Sequence, residues 1–181
     1  MWDVNRKAAY AAEQQPYFAP LVRAAIANEP ADSRVRTIAQ VIAGWDGQED
    51  DAARSGRYTS PGVAAYYEWM ATALTRFYSR DVPKKYLGGC KSENAALNCP
   101  WGQPLGAQVL YFALTKGQGG GPIPPFDFLH GEAPADFIKA TLADAEKALA
   151  ARYGADPAQW LMEAKPKTWS TLSPGDAAPR F

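Results

Sequence analysis

Histidine is nearly absent: the 181 residues contain His130 alone, and cysteine is almost as scarce, with Cys90 and Cys99. Net charge is missing as well, since 19 basic residues balance 19 acidic ones. Each shortage excludes a class of function. One histidine and two cysteines make a poor zinc set, and the eight residues between the cysteines fit neither a C-x2-C zinc pair nor a redox pair. Charge balance gives no electrostatic footprint for nucleic acid or for an anionic membrane. No run approaches the roughly 18 uncharged apolar residues of a membrane span. Met1 to Gln15 carries Asp3, Arg6, Lys7 and Glu13 with no apolar centre, so it does not read as a signal peptide. Asn5, Asn28, Asn94 and Asn98 all lack the hydroxyl residue that a glycosylation sequon requires two positions on. No serine sits in a G-x-S-x-G elbow, and Gly117–Gly121 (GQGGG) precedes no Gly-Lys-Ser/Thr, so it is no phosphate loop.

What is present is ordinary for a globular protein: 47% apolar and 21% charged residues. A chain of this length buries about 70% of its unfolded surface, enough to fold without metal or disulfide. Fifteen glycines and fifteen prolines are too many for an uninterrupted bundle, so long loops must join the helices.

Helical spacing dominates. Leu21, Val22, Ala25 and Ile26 give one apolar face to a short helix from Pro20, which Asn28 and Pro30 stop. Ser33 is placed to cap a second helix in which Val35, Ile38, Ile42 and Trp45 recur at three and four residues, ending near Gly44. Ser60-Pro61 pairs an N-cap with proline at the first helical position, where the missing N–H costs nothing. Val63, Tyr66, Tyr67, Met70, Leu74, Phe77 and Tyr78 then form a broad stripe. Arg80 to Pro104 reads as an irregular excursion, and Leu105 to Lys116 as a helix, although its Val109–Phe112 centre also suits a buried strand. A long helix is predicted over Pro134–Tyr153, with Ile138, Leu142, Ala145 and Leu149 inward and Gly154 as the C′ residue. Asp156-Pro157 starts a short last helix carrying Trp160 and Leu161 inward, and residues 165–181 form an extended tail. The pattern predicts an all-α or mainly α fold: one domain over 1–181, an irregular bundle of five to six helices with long Gly/Pro-rich loops.

Few residues point to chemistry. Cys90 and Cys99 suit either a disulfide, worth about 2–3 kcal/mol by loop entropy, or two free thiols. His130, flanked by Leu129 and Gly131, would have to serve any Cys–His or Ser–His pair, and its setting reads as structural. Glu49, Asp50 and Asp51 after Asp46 lack the alternating ligands and distal Glu of an EF-hand, so they read as a solvated turn. The residues therefore assign no catalytic, cofactor-binding or metal site.

In series, the segments resemble the penicillin amidase family (penicillin and cephalosporin acylases) of N-terminal nucleophile hydrolases. Ala19-Pro20-Leu21-Val22 resembles the helix after that family's catalytic core. Val41-Ile42-Ala43-Gly44-Trp45-Asp46-Gly47 resembles its Trp-Asp-Gly element, and Asp50 to Ser60 the acidic-to-Ser stretch that follows. Ala64 to Leu74, with Tyr66 and Trp69, resembles the next aromatic helix. Leu142 to Trp160, with Ala145, Leu149, Tyr153-Gly154 and Asp156, resembles a later helix pair. The resemblance implies a hydrolase of linear amides whose nucleophile is a chain-terminal Ser, Thr or Cys. Met1 and Trp2 supply neither hydroxyl nor thiol, and nothing upstream of Ala19 resembles the nucleophile strand or its oxyanion-supporting Asn. The expectation is a mainly helical part of an acylase's large chain, without cofactor, inactive alone and partnered by the remainder of the acylase polypeptide. The small-molecule amide substrate would then meet only the whole enzyme. A periplasmic or secreted location follows if the resemblance and the disulfide hold. The alternatives are a free-standing small helical binding domain and a complete small hydrolase using His130.

Overall fold

Ser60-Pro61 opens the helix on which the rest is assembled. In a computed structural model of the chain, which describes residues 12–51, 53–81, 104–118 and 121–164, the Ser60 hydroxyl accepts the Gly62 N–H at 3.1 Å. The helices are α1 (Gln15–Ala25), α2 (Arg34–Gly44), α3 (Pro61–Ser79), α4 (Pro104–Thr115) and α5 (Pro134–Tyr153), followed by a single 3₁₀ turn, Pro157–Gln159. Among the described residues no strand forms. Arg57 and Glu163 make an isolated antiparallel bridge, with Tyr58 N–H on the Met162 carbonyl at 2.9 Å and Ala164 N–H on that of Gly56 at 2.8 Å. The fold is the mainly helical, irregular bundle that the spacing predicts. Cys90, Cys99 and the tail 165–181 lie outside the described residues.

Helix α3 is the centre, burying 13 of its 19 residues. α5 lies along it, and α1 and α2 close the same core through Phe18, Val22, Ile38 and Ile42. The α3–α5 contact is keyed by one polar link: Trp69 Nε1 donates to Thr141 Oγ1 at 3.1 Å, and the Thr141 hydroxyl lies 2.9 Å from the Phe137 carbonyl. Both side chains are fully buried, so the indole N–H and the hydroxyl satisfy each other away from water. Four ion pairs tie the periphery to this centre. Arg34 reaches Glu146, Arg76 grips both oxygens of Glu132 at 2.9 and 3.1 Å, Arg152 meets Glu68 at 3.3 Å, and Lys139 lies 3.7 Å from Glu29.

Three boundaries differ from the sequence reading. α1 begins at Gln15, five residues before Pro20, and ends at Ala25. Pro20 therefore stands inside the helix, where it forgoes one intrahelical bond; burial of Phe18, Ala19 and Val22 offsets that loss. Gln15 is itself buried, and its amide donates to the Ile42 and Trp45 carbonyls at 3.2 and 2.8 Å, satisfying the C-terminal end of α2. The last helix is only the 3₁₀ turn, in which Asp156 accepts the Ala158 N–H at 3.0 Å. Trp160 is fully buried with its Nε1 on the Gly154 carbonyl at 2.9 Å, while Leu161 is half-buried instead of facing inward. Finally, Ser33 does precede α2 but does not cap it; its hydroxyl donates to Glu29 at 3.4 Å.

A close approach fixes where the start of α3 sits. A Cβ on Gly62 would fall 2.3 Å from Cβ of Trp45. Gly62→Ala gains helix propensity of about 1 kcal/mol but overpacks a buried contact, a cost of about 1–3 kcal/mol, so a net loss of stability is expected in urea unfolding. A gain equal to the propensity term would mean Trp45 does not pack there.

Candidate functional site

The acidic segment after α2 is more ordered than a solvated turn. Trp45 Nε1 donates to the Gln48 carbonyl at 2.9 Å, and Asp46 accepts the Gln48 N–H at 3.0 Å. Glu49 is buried and accepts a hydrogen bond from the Tyr67 hydroxyl, which corrects the expectation of a solvated turn at this residue, whereas Asp46 and Asp50 are exposed as expected. Burial first, and then the adjacent Glu49 carboxylate, push the Tyr67 hydroxyl far above its ordinary pKa, so the phenol is a fixed donor. Asp51 accepts from Ser55 N–H at 2.8 Å, Ser55 Oγ at 3.1 Å and Gly56 N–H at 2.9 Å. Desolvation raises the Asp51 pKa, but the hydrogen bonds together outweigh it and hold the carboxylate below its usual range. These acids serve the loop's own backbone and Tyr67. Among the described residues no group of His, Cys, Asp and Glu side chains could hold a metal ion.

Next to Tyr67, the Tyr66 hydroxyl is buried with no hydrogen-bond partner among the described residues, and burial raises its pKa. An unsatisfied buried hydroxyl costs about 1–3 kcal/mol. Tyr66→Phe is therefore expected to leave thermal stability unchanged or raise it by about 1 kcal/mol. A loss of more than about 1 kcal/mol would reveal a partner for this hydroxyl.

His130 stands at φ +52°, where its Nε2 lies 2.9 Å from Asp81 Oδ2 and its ring meets the Phe126 ring edge-on at 6.3 Å. Asp127 organises the same turn, accepting the Leu129 and Gly131 N–H groups at 3.0 and 2.8 Å. The imidazole thus ties the 127–131 turn to Asp81, two residues past the end of α3. Its partner is a carboxylate, and neither Asp81 nor Phe126 offers the hydroxyl or thiol of a Ser–His or Cys–His pair. Cys90 and Cys99, the possible thiols, fall outside the described residues.

A cleft of about 690 Å³ opens between the Ser55–Arg57 loop and the end of α5, lined by Arg57, Arg152, Tyr153, Gln159, Leu161 and Glu163 with Ser55 and Gly56. Arg152 is held by Glu68 and lies 5.8 Å over the Tyr153 ring. Ser55 is the one hydroxyl-bearing serine in the lining, and its Oγ is engaged by Asp51 and by the Arg57 carbonyl at 3.2 Å. No histidine lines the cleft. The carboxylate that Ser55 meets, Asp51, is held below its usual range by its hydrogen bonds and is therefore a weak base for the serine proton. Sequence reasoning did not single out Arg57, Arg152 or Glu163, since isolated charged residues in and beside loops carry no pattern. The geometry of the described residues can bind and position, but it assembles no nucleophile, base and oxyanion donors in one place.

No family model matches the sequence. The chain is 24% identical over 168 residues to penicillin G acylase of Escherichia coli, a match spanning 88% of this chain and 19% of that protein. In three dimensions it superimposes on the thermostable penicillin G acylase from Alcaligenes faecalis with a TM-score of 0.71 at 22% identity, covering 90% of this chain and 30% of that one. The resemblance to the penicillin amidases read from the motifs is therefore met in sequence and in fold, over the helical part. The chain spans about a fifth of the length of the curated relative it matches.

Proposed function

We propose that this chain is a non-catalytic helical unit of an acylase-like protein, a single domain over 1–181 with a tail from 165, whose role is to buttress a catalytic core built elsewhere in the polypeptide. The observation that carries the reading is the asymmetry of the fold match: 90% of this chain is used, against 30% of the acylase chain. In this reading, amide hydrolysis belongs to the whole protein, through a nucleophile of the chain-terminal kind, and the helices contribute rigidity. The placement of His130 supports it, because the sequence's one imidazole is paired with the Asp81 carboxylate and held in a turn.

The test is a chromogenic amide assay on the 181-residue chain, run beside His130→Ala. Acyl transfer needs an activated nucleophile, a base within hydrogen-bond reach and donors at the developing oxyanion. Neither protein is expected to exceed background, not even by the residual activity that an oxyanion hole alone sustains, about 10³–10⁴-fold over water. Turnover that disappears in His130→Ala would overturn the reading in favour of a small complete hydrolase.

A further inference from the structure

Two arginines line the cleft beside the end of α5, and they differ in what already holds them. Arg57 stands on a wall set by the fold. Its N–H donates to Ser55 Oγ at 3.2 Å, and its neighbours Gly56 and Tyr58 are bonded to Ala164 and Met162 at 2.8 and 2.9 Å. The Arg57 guanidinium itself meets no acceptor among the described residues. Glu163 lies directly across the antiparallel bridge, where unlike charges ordinarily attract. Its carboxylate also has no partner among the described residues, and both side chains line the cleft.

Arg152 enters from the last turn of α5. Its Nη1 lies 3.3 Å from Glu68, whose side chain is 6% exposed, so a buried acid holds the guanidinium by one edge. That contact uses one of the five N–H donors of an arginine. The remaining donors meet no acceptor among the described residues, and the side chain is 35% exposed.

A guanidinium is a planar fork that matches a carboxylate through two parallel hydrogen bonds. Half-buried Tyr153 and Leu161 supply apolar surface in the same cleft, and its volume of about 690 Å³ lies within the range of small-molecule sites. Glu163 adds selectivity. A singly charged ligand has one charged end to place at the arginines, whereas a dianion brings further negative charge beside this acid.

We propose that this cleft binds a small organic monocarboxylate, its carboxylate held by Arg57 and Arg152 and its apolar body against Tyr153 and Leu161. The site requires no reaction at Ser55, and it stands whether or not the acylase-like reading of the chain holds.

The experiment is titration of the 181-residue chain with benzoate, followed by two-dimensional NMR of the backbone amides, beside titrations with benzamide and with hydrogen phosphate. Low ionic strength keeps these exposed charges unscreened. Benzoate is expected to shift the Gly56 and Leu161 amides saturably, with benzamide and phosphate binding about tenfold more weakly. Arg57→Gln leaves every acid with its partner and should weaken benzoate about tenfold, the effect of losing one charged hydrogen-bonding group. Arg152→Lys keeps a positive charge for Glu68 but loses the fork, and should weaken benzoate severalfold. Glu163→Gln should narrow the gap between phosphate and benzoate. Benzoate binding that Arg57→Gln leaves unchanged would overturn the proposal, as would benzamide or phosphate binding as tightly as benzoate. Shifts confined to residues away from the cleft, or no saturable shift, would overturn it equally.

Discussion

Trp69→Ala is expected to be the most damaging single substitution in α3. The indole is fully buried where α3 meets α5, with Phe18 edge-on at 5.8 Å, and truncation of a buried Trp costs about 3–5 kcal/mol. It also strips the Thr141 hydroxyl of its donor, although that hydroxyl keeps a carbonyl to donate to. Against a typical total of about 5–15 kcal/mol for a domain, this is enough to unfold a substantial fraction at 37 °C. Trp69→Phe refills most of the space but removes the N–H, so the difference between the two variants separates the volume lost from the hydrogen bond lost. Urea unfolding followed by circular dichroism reads both. A Trp69→Ala loss under about 1 kcal/mol would mean that this position is not in the core.

Leu142→Ala and Leu74→Ala should each cost about 2–5 kcal/mol. Leu142 is fully buried on α5 and Leu74 nearly so on α3, and both belong to the one apolar cluster joining all five helices. Where within that range each falls depends on how far neighbours collapse into the space. The denaturant midpoint should drop with the slope unchanged, since the surface exposed on unfolding barely alters. A shift within about 0.5 kcal/mol, as at an exposed site, would contradict the burial of that face.

Much of this architecture was legible from local signals. Ser60-Pro61 and Pro134 with Gly154 mark ends whose physics lies within a few residues: a hydroxyl for an orphan N–H, a fixed φ at the first position, and a glycine at φ +96° to close the last turn. Leu142 and Ile138 recur on one face of α5, so periodicity found them. Trp69 escaped the apolar stripe of α3 because a central helix is buried nearly all round, which leaves no polar side to define a stripe by contrast. The start of α1 was misplaced because Pro20 looks like a first-turn proline, and only the burial of Phe18 and Gln15 against α2 explains its interior position.

The polar sites were the least legible, for the same reason each time. Glu49 finds its donor on Tyr67, His130 its carboxylate on Asp81, and Arg34 its partner Glu146 at a separation of 112 residues. A run of acids has no pattern that says which member will be buried; the partner supplied by another helix decides it. Conversely, the weak motifs that resemble those of the penicillin amidases gained force from their order along the chain. Each is a packing feature of this helical bundle: Trp45 against the start of α3, Trp69 at its centre, Trp160 beneath the 3₁₀ turn.

On the function proposed above, these helices serve a larger acylase-like protein and hold no hydrolytic centre of their own. The most direct test is the intact mass and peptide composition of the species that contains this chain, purified from its native source and assayed for amide hydrolysis. The expected result is a species heavier than the 19.6 kDa of these 181 residues, with acylase-like sequence outside them and turnover that the 181-residue chain lacks. A species of 19.6 kDa that hydrolyses amides by itself would contradict it.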